Sequence, residues 1–379
     1  MKSKIQIMLA GALVVASSVV AMAGGNAGAS TPAGKQCYAL NSSVLVGSVT
    51  YTCIANTNAK TKKSQPYVYD KGTQMPTLPT TNFDLHPGAL IWSDSESGTS
   101  GAPLNSTVWS VQGGKTGFGT GEVELSTSSA VAQDGTGGFA ISAKCTSNCS
   151  NLATSNWTSA RIWTNGKVNF QYGEIEAKIW MPSGSFNWPA FWMMGQSYTS
   201  LTSAPSVTWP NCGEIDIAEG LNNNSTESST IHSNQPNTNT DWGGGSGLTQ
   251  RSLLTGAQMT SGWHTYGILW VPNSIIFILD GVAWASDTYT PATGQLMTTT
   301  RTGTNSYEYK TYGPGTVNPT LGGSWPFNQP FFILVNDAIG GVSQLTGTPT
   351  PASATMKVAS VKYYQYTVGN THYGTLTLH

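Results

Sequence analysis

A chain of 379 residues with 17 basic and 18 acidic side chains, a net charge of −1, offers no electrostatic footprint for nucleic acid or an anionic membrane. Only 9% of residues are charged, whereas 43 Gly, 13 Trp and 15 Tyr accompany many Ser, Thr and Asn. That mix favours strands and turns over helices and supplies a neutral, aromatic surface suited to a polyol.

In chain order, Lys2 and Lys4 precede an apolar run from Ile5 to Val20 and the small-residue signature Ala21-Met-Ala23. The pattern predicts a cleaved signal peptide over residues 1–23 and a mature chain outside the cytoplasm, secreted or periplasmic. Gly11, Ser17 and Ser18 interrupt the run, and no later stretch approaches the roughly 20 apolar residues of a spanning helix, so no membrane association is expected after cleavage. Residues 24–81 are rich in Gly, Ser, Thr, Asn and Pro and carry Lys60-Thr-Lys-Lys63, the pattern of a small cysteine-bearing extension or linker. Five cysteines in an exported chain permit at most two bridges. Cys37 and Cys53 flank a strand-like run, Val44 to Thr52, and Cys145 and Cys149 can close a small loop; these are the simplest pairs. Cys212 is then left as a buried, inert thiol, since no activating base is evident beside it.

Residues 82–379 form the expected catalytic domain. Short strand patterns recur between Gly, Pro and Asn turns: Ala89–Trp92, Gly121–Leu125, Gly138–Ala143, Ser159–Trp163, Tyr172–Trp180, Thr265–Val271, Ile275–Leu279, Phe331–Val335 and Met356–Tyr366. Asp280-Gly281 is a hairpin signal. Many strands without amphipathic helices predict an all-β antiparallel sandwich or barrel.

The chemistry concentrates in Cys212-Gly-Glu-Ile-Asp-Ile-Ala-Glu-Gly220. Alternation puts Glu214 and Asp216 on one face of a strand, with Ile215 and Ile217 behind. Glu219, five positions after Glu214, joins them only if a one-residue bulge falls near Ile217-Ala218. Paired carboxyls on a cleft can cleave a glycosidic bond, one protonating the leaving oxygen while the other attacks the anomeric carbon or activates water. Clustered acids also bind Ca²⁺, but a strand presenting acids at alternate positions matches poorly a loop that wraps a cation. No metal or other cofactor is therefore expected. Upstream, Phe186-Asn-Trp-Pro-Ala-Phe-Trp-Met-Met-Gly195 offers Trp188 or Trp192 as platforms for sugar rings, with Phe191 and Met193 facing the core. His232 is either a hydrogen-bond donor to sugar or a packed histidine, and His264 is read as structural.

The acid segment resembles the E-x-D-x-x-E signature of glycoside hydrolase family 16. Accompanying segments follow in that family's order: Leu90-Ile-Trp-Ser-Asp94, Ser159-Ala-Arg-Ile162, Tyr172-Gly-Glu-Ile-Glu176, Trp188-Pro-Ala-Phe-Trp192, Trp263-His-Thr-Tyr266, Asp280-Gly281, and Trp325-Pro-Phe-Asn-Gln-Pro330 running on to Gly340-Gly341. The resemblance covers residues 88–366. It implies a concanavalin A-like β-jelly-roll, two antiparallel sheets with substrate crossing the concave face. It also implies a retaining mechanism with Glu214 as nucleophile, Glu219 as acid/base and Asp216 as helper. The extra residue before the last acid is similar to the laminarinase-like β-1,3-glucanases, agarases and carrageenases, and the Trp-Pro-Ala-Phe-Trp segment to the laminarinases. In that group the positions matching Arg161, Trp188, Trp192, His232 and Asn336 line sugar subsites. Two departures, Ser95-Glu96 after Asp94 and Ala359 in the last long strand, fall where some members place acids for a structural Ca²⁺, and argue against that site here. The resemblance thus implies a monomeric, secreted endo-β-1,3-glucanase acting on laminarin-like or mixed β-1,3/1,4-glucan. The alternatives are a hydrolase of another neutral glycan such as agarose, a transglycosylase, or a non-catalytic glucan-binding lectin.

Overall fold

The structure is a computed structural model. It describes residues 33, 43–46, 49–56, 67–69, 73–74, 88–94, 96–114, 119–198, 209–220, 227–234, 241, 243, 249, 251, 256–291, 294–303, 306–312, 325–341, 352–368 and 371–379. The expected signal peptide, Cys37 and most of the N-terminal extension lie outside these residues, so the Cys37–Cys53 pairing does too.

Two large sheets face each other across an apolar core. The first has twelve strands. Its path runs Ser306–Tyr312, Gln295–Gly303, Val282–Thr290, Ser274–Leu279, His264–Val271, Gly173–Trp180, Ser353–Tyr364, Phe139–Ser147, Asn156–Ser159 and Leu125–Ser126. Leu90–Asp94 and Val131–Gln133 attach beside this path. Every pairing is antiparallel except that of Asn156–Ser159 with Leu125–Ser126. The second has eight strands, in the order Glu227–His232, Glu214–Gly220, Asn187–Gly195, Phe331–Ile339, Arg161–Trp163 and Ser110–Val111, with Val168–Gln171 and Thr375–Leu378 off the path. This is the expected all-β jelly-roll of two antiparallel sheets.

Alternation explains the layers. Ile175, Ala177 and Ile179 of the first sheet meet Phe191, Met193, Ile215, Ile231, Ile333 and Val335 of the second, all within the same buried cluster. Burying each of the larger side chains contributes about 1.5–3 kcal/mol. The Asp280-Gly281 turn forms as expected, both residues at positive φ (48° and 78°) and Leu279 paired with Val282.

Three strand expectations change. Ser159–Trp163 is not one strand: Asn156–Ser159 lies in the first sheet and Arg161–Trp163 in the second, so the chain changes sheets at buried Ala160. Ser-Ala-Arg-Ile-Trp carries no Gly or Pro and no break in its pattern that would mark such a crossing. Of Gly121–Leu125 only the end joins a ladder, at Leu125–Ser126, while Glu122 makes an isolated bridge to Gly340. The run Val44 to Thr52 is divided between antiparallel strands Ser43–Val46 and Val49–Ala55, part of a separate four-stranded sheet with Tyr67–Tyr69 and Thr73–Gln74. Cys145 and Cys149 form the expected disulfide. Among the described residues no helix is long and apolar enough to cross a membrane.

Candidate active site

The acid strand, Glu214–Gly220, lies between Asn187–Gly195 and Glu227–His232. Gly213 opens it at φ 80°, and a Cβ there would come within 2.8 Å of Pro326 Cγ and 2.9 Å of Phe331 Cζ, so only glycine fits. Glu214 then pairs with Met194, Ile215 with Met193 and Asp216 with Trp192, after which the register slips to Ala218 with Phe191 and Glu219 with Ala190. On the other side Asp216 faces Thr230 and Glu219 faces Ser228, so Ile217 and Ala218 together oppose one residue. This is the expected bulge. Its cause is hydrophobic: Ile215, Ile217 and Ala218 are all buried in the core between the sheets. Two consecutive apolar residues on the core side return Glu219 to the face of Glu214 and Asp216. Ser229 Oγ donates to the carbonyl of Ile217 at 2.7 Å, satisfying a group the bulge removes from the ladder.

Each carboxyl has a distinct partner. Trp209 Nε1 donates to Glu214 Oε2 at 2.6 Å. His232 Nε2 lies 3.2 Å from Asp216 Oδ2, while its Nδ1 lies 2.6 Å from Asp241 Oδ2. Trp188 Nε1 donates to Glu219 Oε1 at 2.7 Å and Ser228 Oγ to Oε2 at 3.2 Å. Glu214 and Glu219 are half-buried and Asp216 is buried. Burial, and then the charge of Asp216, push the pKa of Glu214 upward. Burial also raises Asp216, against the hydrogen bond from His232, and raises Glu219, against the indole of Trp188. Three carboxyls beside one imidazole therefore retain a proton that isolated carboxylates would release, and Glu214 shares a hydrogen bond with Asp216 through which it can move. Glu214, Asp216 and His232 bring ligand-type atoms within 4.8 Å of one another, but these groups are engaged with one another and with Trp209 and Asp241.

The residues expected to line subsites fall into two groups. Trp188 and His232 touch Glu219 and Asp216 directly. Arg161, Trp192 and Asn336 form a second cluster: Arg161 pairs with Asn336 across the ladder, its guanidinium carbon stands 4.6 Å from the Trp192 ring centroid, and Trp192 Nε1 donates to Asn336 Oδ1 at 2.7 Å. Trp192 is only 7% exposed, so its ring serves as support for Arg161 more than as an open platform. Phe191 and Met193 face the core, and Trp192 and Met194 the opposite side, as the alternation predicts.

Trp209 was not singled out by sequence reasoning. It is 47% exposed, holds Glu214, and its ring centroid lies 5.5 Å from that of His232. The available signal was an aromatic residue close before the acid motif, but a turn has no periodicity to say where its side chain points. Cys212 is the expected buried free thiol, packed with Tyr198, Phe332 and Leu334; burial and the neighbouring Glu214 push its pKa up to about 12. His264, read as structural, bonds Asp280 at 2.7 Å.

Comparison with known proteins agrees with the fold. Residues 131–303, which include the acid strand, match the model for "Glycosyl hydrolases family 16". A β-glucanase of Rhodothermus marinus is 28% identical over 283 residues, covering 73% of this chain and 85% of that enzyme. A β-1,3-glucan-binding protein of Penaeus monodon is 29% identical over 52% of this chain, which spans 53% of that protein's length. The X-ray structure of an endo-β-1,3-glucanase from Pyrococcus furiosus superposes with a TM-score of 0.56 at 29% identity, covering 76% of this chain and 98% of that one. A shared jelly-roll, a segment matching glycosyl hydrolases family 16 over residues 131–303 and three acids gathered by a bulge converge on one assignment: the chain is a glycoside hydrolase similar to that family.

Proposed function

We propose that this chain is an exported, retaining endo-glycosidase that hydrolyses β-1,3-glucan, and mixed β-1,3/1,4-glucan as a second substrate. The observation that carries the reading is the gathering of Glu214, Asp216 and Glu219 on one face, each glutamate held by an indole N–H. Glu214 attacks the anomeric carbon as the glycosidic C–O bond breaks, and Glu219 delivers its proton to the departing oxygen. Trp188 and Ser228 orient Glu219, and burial favours its protonated form for that step. Asp216 accepts the proton that Glu214 sheds to become nucleophilic. In the second half Glu219 takes a proton from water, which displaces the sugar from Glu214.

The neutral, tryptophan-bearing surroundings favour an uncharged glucan, and β-glucan is named in the R. marinus and P. furiosus relatives. The similarity to a glucan-binding protein supports a second reading, a non-catalytic lectin. Release of reducing ends from laminarin and barley glucan tests the first reading. Absence of release, with laminarin binding unchanged in Glu214→Gln, establishes the second. Proton NMR of early products should show the β-anomer first, and appearance of the α-anomer would remove Glu214 from its assigned role. Export is tested by the N-terminus of protein recovered outside the cytoplasm, expected just after Ala23.

A further inference from the structure

His232 stands between two carboxylates. Asp216 lies at Nε2 and Asp241 at Nδ1, 3.2 Å and 2.6 Å away. A neutral imidazole has one N–H, so it can donate to only one of them; donating to both requires the doubly protonated ring. Asp241 is built into this place. Its backbone bridges to Asn234, and its Oδ1 accepts the N–H of Gly243 at 3.2 Å. Gly243 itself lies against the end of the strand Glu227–His232: a Cβ there would stand 2.6 Å from the carbonyl of Ile231 and 2.7 Å from His232 Nδ1. The returning segment thus approaches the imidazole as closely as a backbone can, and any side chain at 243 would push it away.

Resting on the assignment of Glu214 as nucleophile, we propose that Asp241 is a positioning residue that holds His232 as an imidazolium, whose charge favours the ionised, nucleophilic form of Glu214. Among the described residues the charged groups facing His232 are Asp216, Glu214 and Glu219 from its neighbouring strand and Asp241 from the returning segment; Trp209 supplies a neutral ring. Burial opposes the charge on His232, and the bonds to Asp216 and Asp241 outweigh it, raising its pKa well above the ordinary value. If the imidazole loses its proton, three carboxyls remain without that cation beside them, and Glu214 holds its own proton more tightly. Less of Glu214 is then ionised for attack. Removing Asp241 lowers the pH at which His232 discharges, so activity is lost earlier as pH rises.

The test uses the full chain. In ¹⁵N-histidine NMR, His232 of the wild type should keep both ring protons well above the pH at which an ordinary histidine releases one, and Asp241→Asn should release one at a distinctly lower pH than the wild type. In the same variant kcat should fall about tenfold near pH 8 but less than about threefold near pH 5, with KM little changed and Asp241→Glu restoring most of the loss. Gly243→Ala, which displaces Asp241 without altering charge, should give the same alkaline loss. The inference is overturned if wild-type His232 discharges near its ordinary pKa, if Asp241→Asn keeps the wild-type pH profile, or if its loss is equal at every pH, as a purely structural role requires. The wild-type titration needs no variant to fold. It is also independent of turnover, so it fails separately from the nucleophile assignment, which Glu214→Gln tests.

Discussion

Gly173-Glu-Ile-Glu176 and Gly213-Glu-Ile-Asp216 are nearly the same tetrapeptide, and the molecule uses them for different ends. Each opens with a glycine at positive φ, 86° and 80°, and each sends its isoleucine into the shared core. Each therefore presents two acids on the face of its sheet away from that core. In the twelve-stranded sheet Gly173–Trp180 keeps an unbroken register with His264–Val271, and Glu176 meets Tyr364 Oη at 3.4 Å and Lys362 Nζ at 3.9 Å. In the eight-stranded sheet a bulge adds a third acid, and the partners are indoles and an imidazole. Alternation decides which way acids point. What crosses from the neighbouring strands decides whether they become an ion pair or a reactive cluster.

Substitutions should separate the two sites sharply. Glu214→Gln is expected to lower kcat by about four orders of magnitude or more on laminarin, whereas Glu176→Gln should leave it within about twofold. Comparable losses from the two would collapse the distinction. Glu219→Ala should cost about 10²–10⁴-fold on polysaccharide and distinctly less on an aryl glycoside whose leaving group needs no proton. If both substrates suffer equally, Glu219 is not the acid.

The indoles mark the contrast at smaller scale. Trp209→Phe keeps the ring but removes the N–H that Glu214 accepts, a charge-assisted bond worth about 1.5–3 kcal/mol, so kcat/KM should fall roughly 10–100-fold. An unchanged kcat/KM would reduce Trp209 to a wall of the cleft. The smallest effect concerns stability. Glu124 accepts the backbone N–H of Ile339, and burial pushes its pKa from 4.5 to about 8. The folded protein binds this proton more tightly than the unfolded chain, so the stabilisation is full below about pH 4.5 and is lost as pH rises towards about 8. Asp337, raised by burial to about 7, acts in the same direction. Tm should therefore decline across that window, by a few degrees, and Glu124→Gln should flatten the decline. A Tm that climbs with pH there, or a variant with the wild-type slope, would refute this.

The acid motif, its need for a bulge, the local Cys145–Cys149 disulfide and the Asp280-Gly281 hairpin were legible because each depends on residues a few positions apart. Over such distances backbone geometry fixes direction: period two along a strand, one extra residue to shift it, positive φ at a two-residue turn. The same local rules failed at Ser159–Trp163, where nothing in Ser-Ala-Arg-Ile-Trp says that the chain passes to another sheet after Ala160. They also could not decide whether His232 was packed or functional.

The partners of the acids belong to a different scale. Trp188 lies 31 residues from the carboxylate it holds, Trp192 lies 144 from its asparagine, and Glu124 lies 215 from the amide that satisfies it. Which indole meets which carboxyl depends on how distant strands settle into register, and that is decided by the whole core closing at once. The sequence by itself therefore determined that three acids would share a face. Only the tertiary structure decided that Trp188 would hold one of them, while Trp209 and Asp241, five and nine residues from Glu214 and His232, sit outside the strands where no period aims a side chain.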